Sequence, residues 1–336
     1  MICGCSDRIS LNNQLRELGY SEEDIKIISK LNYEDTKRLY EKYDEKLLSI
    51  VKDPRCKSEN IKKYFLYHLP FDNDTLFMLV NNNFLNNTNF SFYKEVANNK
   101  FYILDNLETY IKYSKDFDDP SILVGYVNVG AYKEPFSKQP ISNTSNEMDI
   151  LGNKWNYLDK YEPSGLVLID KKYGQAKYEQ YLKKEAYEAF KKMYDAALKD
   201  SVSIYAASTY RSYEFQDELY NSYLKIDTQE EVDTYSSRPG YSDHQIGLSC
   251  DILSYKYDFD NFEESKAFTW LSENADKYGF ILRYPKDKED ITGYMYESWH
   301  YRYVGEKLAK FIKENNLTYE EYHAYYIERG ITYEGA

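Results

Sequence analysis

The hydrophobic period of this 336-residue chain changes once, and that change restricts its fold more than any other feature. Early in the chain, apolar residues recur every three or four positions. Leu15, Leu18, Ile25, Ile28 and Leu31 follow this spacing, the mark of a one-sided helix. Ser21 stands where a cap is needed, with Glu22 and Glu23 in the first turn, where the helix dipole favours negative charge. Asn32 is the expected cap of a second helix with Glu34 and Asp35 in its first turn, running through Leu39 towards Leu47 and Val51. Asp74 is expected to cap a short helix carrying Leu76, Phe77, Leu79 and Val80. Residues 81–89 read as a loop and 122–129 as a strand.

Beyond about residue 166 the pattern mixes short strands with helices. Val202, Ile204 and Ala206 alternate, and 250–253, 280–284 and 299–304 are short apolar runs. Helices are expected over 182–197, 211–225 and 267–278, the last stopped by Gly279. No regular βαβ alternation appears, so the class is α+β, with a mostly helical region leading.

Composition narrows function. The chain is 42% apolar and 29% charged, which fits a folded protein rather than a disordered one. Its 56 acidic and 43 basic side chains leave a net charge of −13, the wrong sign for binding nucleic acid through phosphates. No apolar run approaches the roughly 20 residues of a membrane-spanning helix. Cys3, Cys5, Cys56 and Cys250 form no CxxC pair, so neither a disulfide framework nor a cysteine-rich zinc site is indicated. Ile2-Cys3-Gly4-Cys5 suits either a frayed terminus or the end of a lipoprotein signal, with Cys5 as the lipidated residue.

Three segments carry chemistry: Ser208-Thr209-Tyr210-Arg211-Ser212-Tyr213-Glu214-Phe215-Gln216, Arg238-Pro239-Gly240-Tyr241-Ser242-Asp243-His244-Gln245-Ile246-Gly247-Leu248-Ser249-Cys250-Asp251, and Glu297-Ser298-Trp299-His300-Tyr301-Arg302. A hydrolytic zinc needs three protein ligands and an open position. His244 and Asp251 are seven residues apart across Gly247, which can turn the chain so both face one ion, and His300 can complete the set. Glu297, three residues before His300, offers a carboxylate to take a proton from the attacking water. Arg211 is a permanent cation for an oxyanion or a substrate carboxylate. On spacing alone, a structural histidine and a capping aspartate remain alternatives. His68 and His323 belong to none of these segments and read as structural.

The segments resemble the signatures of the VanY-type D-alanyl-D-alanine carboxypeptidases: S-x-x-R-S-x-x-x-Q, then S-x-H-x-x-G-x-x-x-D, then E-x-W-H, in this order. The resemblance covers roughly 155–325 and implies a Hedgehog/D-Ala-D-Ala peptidase-like fold, a small antiparallel sheet flanked by helices. It implies a D,D- or L,D-carboxypeptidase acting on peptidoglycan stem peptides. His244, Asp251 and His300 become ligands of one Zn2+, Glu297 the base, and Arg211 the group polarising the carbonyl. Gln216, Ser242, Ser208, Trp299 and Tyr284 become substrate-binding residues, although Trp299 and Tyr284 equally suit core packing. Departures from the pattern are Asp243 in place of Glu, Ser249-Cys250 in place of an apolar pair, Ser298 in place of Pro and Thr209 in place of Gly. Cys250 is expected to point away from the metal, because adjacent strand residues face opposite sides. A peptidoglycan endopeptidase with the same site, and a non-catalytic wall-binding protein, are the competing readings.

The expected organisation is a disordered terminus or anchor remnant (1–10), a helical accessory domain (11–133), a linker or long loop (134–155), the zinc carboxypeptidase domain (156–325) and a tail (326–336). The expected setting is the extracytoplasmic envelope, as a monomer, with no nucleic acid partner and membrane contact only through a lipid at Cys5.

Overall fold

The computed structural model describes residues 5–140, 146–174 and 178–333. The chain divides into two compact units between Val124 and Gly125. Of the terminus expected to be disordered or an anchor remnant (1–10), residues 1–4 lie outside the described residues, while residues 5–10 are helical rather than disordered.

The first unit is helical: α1 (Cys5–Glu17), α2 (Glu22–Ile28), α3 (Tyr33–Glu41), α4 (Glu45–Lys52), α5 (Ile61–Tyr67), α6 (Asn73–Asn81), α7 (Phe90–Asn98) and α8 (Leu107–Tyr113), with α9 (Pro120–Asn128) crossing the division. Ser21 and Asp24 form the reciprocal capping box of α2, and Asn32 caps α3 through the Glu34 amide. Leu15, Ile28, Leu39, Ile50, Leu76 and Leu79 form its buried interior.

Three local expectations are corrected. The helix from Asn32 stops at Glu41, because Asp44 adopts an extended backbone and caps a new helix by accepting from the Leu47 amide at 3.0 Å. The cap of α6 is Asp72, which accepts from the Thr75 amide at 2.8 Å. A cap reaches two or three residues forward, whereas Asp74 lies inside the first turn and bonds Arg55. Residues 122–128 belong to helix α9, not to a strand, and Val129 lies in the turn that follows it. Pro120 suits the first helical position, and a short buried apolar run carries no period that separates helix from strand.

The second unit holds β1 (Leu166–Leu168) paired with β2 (Tyr181–Lys183), and then a four-stranded antiparallel sheet. The sheet order is β3-β4-β6-β5, formed by β3 (Tyr205–Ser208), β4 (Ser249–Leu253), β5 (Phe280–Leu282) and β6 (His300–Tyr303). Helices α10 (Lys184–Lys199), α11 (Tyr213–Tyr223), α12 (Gln229–Tyr235), α13 (Lys266–Asn274), α14 (Glu289–Thr292), α15 (Glu306–Glu314) and α16 (Tyr319–Tyr322) complete it. Cys250, Ile252 and Tyr301 pack with Phe190 and Met193 of α10 and Leu271 of α13. Cys250 therefore lies in the apolar core, as strand alternation requires.

The segment expected to be a linker contributes to this unit's interior. After a short turn at Glu147–Asp149, Ile150 and Leu151 are buried, and Ile150 packs with Ile246 and Leu248. Its prolines and polar residues imitate a loop because these apolar side chains follow neither strand nor helix period. The expected tail begins inside the π-helical segment His323–Ile327, and Tyr333 lies against Phe311 with ring centroids 5.1 Å apart. Among the described residues, no helix is long and apolar enough to cross a membrane.

Candidate active site

Strand pairing makes the site. Asp251 on β4 lies directly across from His300 on β6 and from Ser208 on β3. Side chains opposite one another in neighbouring strands stand on one face, so residues distant in sequence become neighbours. His244 enters from the turn Asp243–Ile246 that precedes β4. Gly247 ends that turn with φ at +77°, and a Cβ there would meet Leu166 at 2.9 Å. The expected reversal at Gly247 thus requires a glycine.

Each histidine offers a defined nitrogen. His244 Nδ1 lies 2.8 Å from the Thr209 carbonyl, which only accepts, so the proton sits on Nδ1 and Nε2 is left with a lone pair. Nε2 is 3.3 Å from Asp251 Oδ1. His300 Nδ1 is 3.7 Å from the same oxygen and 2.9 Å from Glu297 Oε2. Asp251 Oδ2 accepts from Arg211 at 2.8 Å, while Oδ1 is buried without a hydrogen-bond partner. Among the described residues, His244, Asp251 and His300 are the group of potential ligands that converges, with donor atoms within 4.8 Å of one another. The separations of 3.3 and 3.7 Å approximate the roughly 3.4 Å edge of a zinc tetrahedron with bonds near 2.1 Å. An orphaned carboxylate oxygen between two imidazoles is a donor set that fits a divalent cation. His68 bonds the Phe65 carbonyl, and His323 faces Glu328; neither joins the group.

Electrostatics suits the same assignment at His244, Asp251 and Glu297, whereas without a bound cation it favours the charged form of His300. Burial and the nearby Arg211 push His244 down to about 4, favouring its neutral form. Burial alone would raise Asp251, but His244 and Arg211 outweigh it and hold the carboxyl below its usual range. Burial raises Glu297 above an ordinary glutamate, as befits a group that takes up a proton. For His300, burial opposes the charge, yet Asp243 and Glu297 raise it to about 9.

Arg211 is held from three sides. Its Nε donates to Ser208 Oγ at 3.0 Å, one Nη to Asp251 and the other to Gln216 Oε1 at 3.4 Å. Gln216 in turn donates to the Ser237 carbonyl at 2.7 Å. Neither Ser208 nor Gln216 lines the cavity beside the site; Arg211 does. Their positions suit support of the guanidinium. The cavity, of about 440 Å³, is also lined by Ser242, Tyr284, Trp299, Phe259 and Glu297. Tyr284 meets His300 edge-on at 4.8 Å, and Trp299 meets Phe259 at 5.3 Å. That volume falls in the range of small-ligand sites, about 300–1,000 Å³.

A second layer lies behind these residues, built from positions to which the sequence alone assigns no role. Arg302, two residues after His300 and so on its face of β6, is buried and donates to Asp243 Oδ1 at 2.5 Å. Arg283 is buried beside it and pairs with Glu320 through two bonds of 2.7 and 2.8 Å. The period-two spacing of His300 and Arg302 was the available signal. Nothing local marks Glu320.

A family model described as VanY, D-alanyl-D-alanine carboxypeptidase, matches residues 179–306. A putative carboxypeptidase, YodJ, of Bacillus subtilis (strain 168) is 41% identical over 192 residues, covering 55% of this chain and 69% of that relative. A D-alanyl-D-alanine carboxypeptidase of Enterococcus faecium is 37% identical, covering 56% of each chain. Among solved structures, the LdcB LD-carboxypeptidase is 40% identical, covers 55% of this chain and 93% of its own, and has a TM-score of 0.49.

Proposed function

Because the chain belongs to the VanY family of D-alanyl-D-alanine carboxypeptidases, we propose that it removes a C-terminal D-alanine from peptidoglycan stem peptides by zinc-dependent hydrolysis. The convergence of His244, Asp251 and His300 beside Glu297 carries this reading. His244, Asp251 and His300 hold the ion. Bound zinc supplies a Lewis acid that polarises the peptide carbonyl and acidifies water.

The remaining work belongs to side chains. Glu297 takes a proton from the attacking water and passes it to the leaving amine. A carbon–oxygen bond forms as the carbon–nitrogen bond breaks, and D-alanine departs. Arg211, held by Ser208, Gln216 and Asp251, faces the cavity and stabilises the developing oxyanion. Ser242, Trp299 and Tyr284 line the space for the terminal residue. The catalytic residues lie within 156–325, and the compact unit that carries them begins at Gly125. The substrate places the enzyme in the cell envelope, and lipidation of Cys5 would tether it there.

The test is incubation of the purified protein with stem tetrapeptide and pentapeptide, with and without a chelator, read by mass spectrometry. One peptide loses a single alanine, and the chelator stops the loss. If neither peptide shortens while cross-linked dimers are cut, the enzyme is an endopeptidase. If no substrate changes, the catalytic reading fails.

A further inference from the structure

The second layer behind His300 is a closed cluster of buried charge. Asp243, Arg283, Arg302 and Glu320 are each at most 1% exposed. Two cations face two carboxylates, and neighbouring polar groups add further hydrogen bonds, leaving Arg283 Nε and Arg302 Nε without a hydrogen-bond partner. Asp243 Oδ1 takes Arg302 Nη1 at 2.5 Å and lies 3.3 Å from Arg283 Nε. The Ser249 hydroxyl donates to Asp243 Oδ2. Arg302 also donates to the Ile150 carbonyl at 2.6 Å, and Asn153 donates to Glu320 at 3.2 Å. Burying four charges costs several kcal/mol per ion before pairing offsets it. Well-packed apolar residues would make a cheaper interior, so the cluster's position needs an explanation.

One atom supplies it. His300 Nε2 is buried with no hydrogen-bond partner, and Asp243 Oδ2 stands 3.6 Å away. The other nitrogen, Nδ1, faces Asp251 and Glu297. A histidine that ligates through one nitrogen usually gives the proton on the other to a carboxylate or carbonyl, which fixes its tautomer and ring plane. His244 already does this with Thr209.

We propose that Asp243 is a positioning residue that accepts the Nε2 proton of His300, and that the Arg283–Arg302–Glu320 cluster holds its carboxylate in place for that purpose. This inference rests on the metal-site reading above and extends it. Its consequence is that the segment 146–153 and helix α16, both outside the motif-bearing segments, support the geometry of a ligand.

The experiment uses the full chain with zinc. Only four histidines are present, so ¹⁵N-histidine labelling gives a readable ring spectrum. In the zinc-loaded unmodified protein, His300 carries its proton on Nε2, and that proton exchanges slowly with solvent. Asp243→Asn turns an amide donor or a neutral acceptor towards Nε2, and zinc affinity, measured by competition with a chromogenic chelator, weakens about 10–100-fold. Proton exchange at Nε2 accelerates in the variant, which a purely structural role for Asp243 would not produce. A proton on Nδ1 of His300 in the unmodified protein overturns the inference, and so does an Asp243→Asn variant with unchanged affinity and exchange. If the variant does not fold, the spectrum of the unmodified protein decides alone. If the unmodified protein binds no zinc, the metal-site reading falls and this inference with it. Zinc binding that is indifferent to Asp243 removes this inference only.

Discussion

The two compact units bury different things. The helical unit hides aliphatic and aromatic side chains, with Asp24, Thr36, His68 and Thr75 as its buried polar residues among those described. Of these, Asp24 is a capping-box carboxylate and His68 bonds a backbone carbonyl. The second unit buries Arg283 and Arg302 completely, with Asp243, Glu320, Glu297, Asp251, His244 and His300. An ordinary domain gains nothing from such charges, because desolvation offsets their attraction. The contrast locates chemistry without a motif: interior charge clusters around the candidate ligand set, whereas in the helical unit it is limited, among the described residues, to Asp24.

The largest effect that sharpens this contrast falls on Glu297. Glu297→Gln lowers kcat about 10²–10⁴-fold while zinc affinity, measured by chelator competition, stays within a few-fold of the unmodified protein. Equal loss of both would make Glu297 a ligand rather than a base. Next is Glu320→Gln, which leaves Arg283 without its bidentate carboxylate. The expected cost is about 3–5 kcal/mol in urea unfolding; a cost below about 1 kcal/mol would show the cluster to be unimportant for the fold. The matching change in the helical unit is Leu79→Ala at a fully buried position, expected to cost about 2–5 kcal/mol. There, zinc affinity and kcat should be unchanged, and a change in either would break the separation between the units.

The smallest effect is one of pH. Lys183 lowers the Glu147 carboxyl to about 2. A carboxylate whose folded value is depressed stabilises above its ordinary range near 4.5, and that contribution is lost as pH falls towards 2. In the metal-free protein, Glu147→Gln therefore lowers the melting temperature at pH 6 and makes no difference near pH 2. Because Glu147 is partly exposed, screening keeps the effect small. A difference that persists near pH 2 would rule out the ion pair as its source.

Much of this was legible from residues alone. Ser21 and Asn32 act as caps because a hydroxyl or amide two or three residues before an unpaired backbone N–H has little choice of partner. His244, Gly247, Asp251, Glu297 and His300 carry their chemistry in side-chain type, and the αL turn at Gly247 is a local demand. The strand expected over 122–129 is instead mostly helix, because a short apolar stretch satisfies helix and strand equally until its neighbours are known. Asp72 displaced Asp74 as the cap of α6 by a matter of reach.

Sequence by itself determined which groups were available: two imidazoles, an aspartate, a glutamate and an arginine, on segments with strand or turn character. Only the tertiary structure decided that β4 and β6 pair with Asp251 opposite His300, and that Glu320, 20 residues beyond His300, closes a charge cluster behind it. The physical reason is range. Caps, turns and side-chain periods act over a few residues, whereas strand register and the pairing of buried charges are set by the whole chain's collapse into a low-dielectric interior, where each charge must find a partner or be excluded.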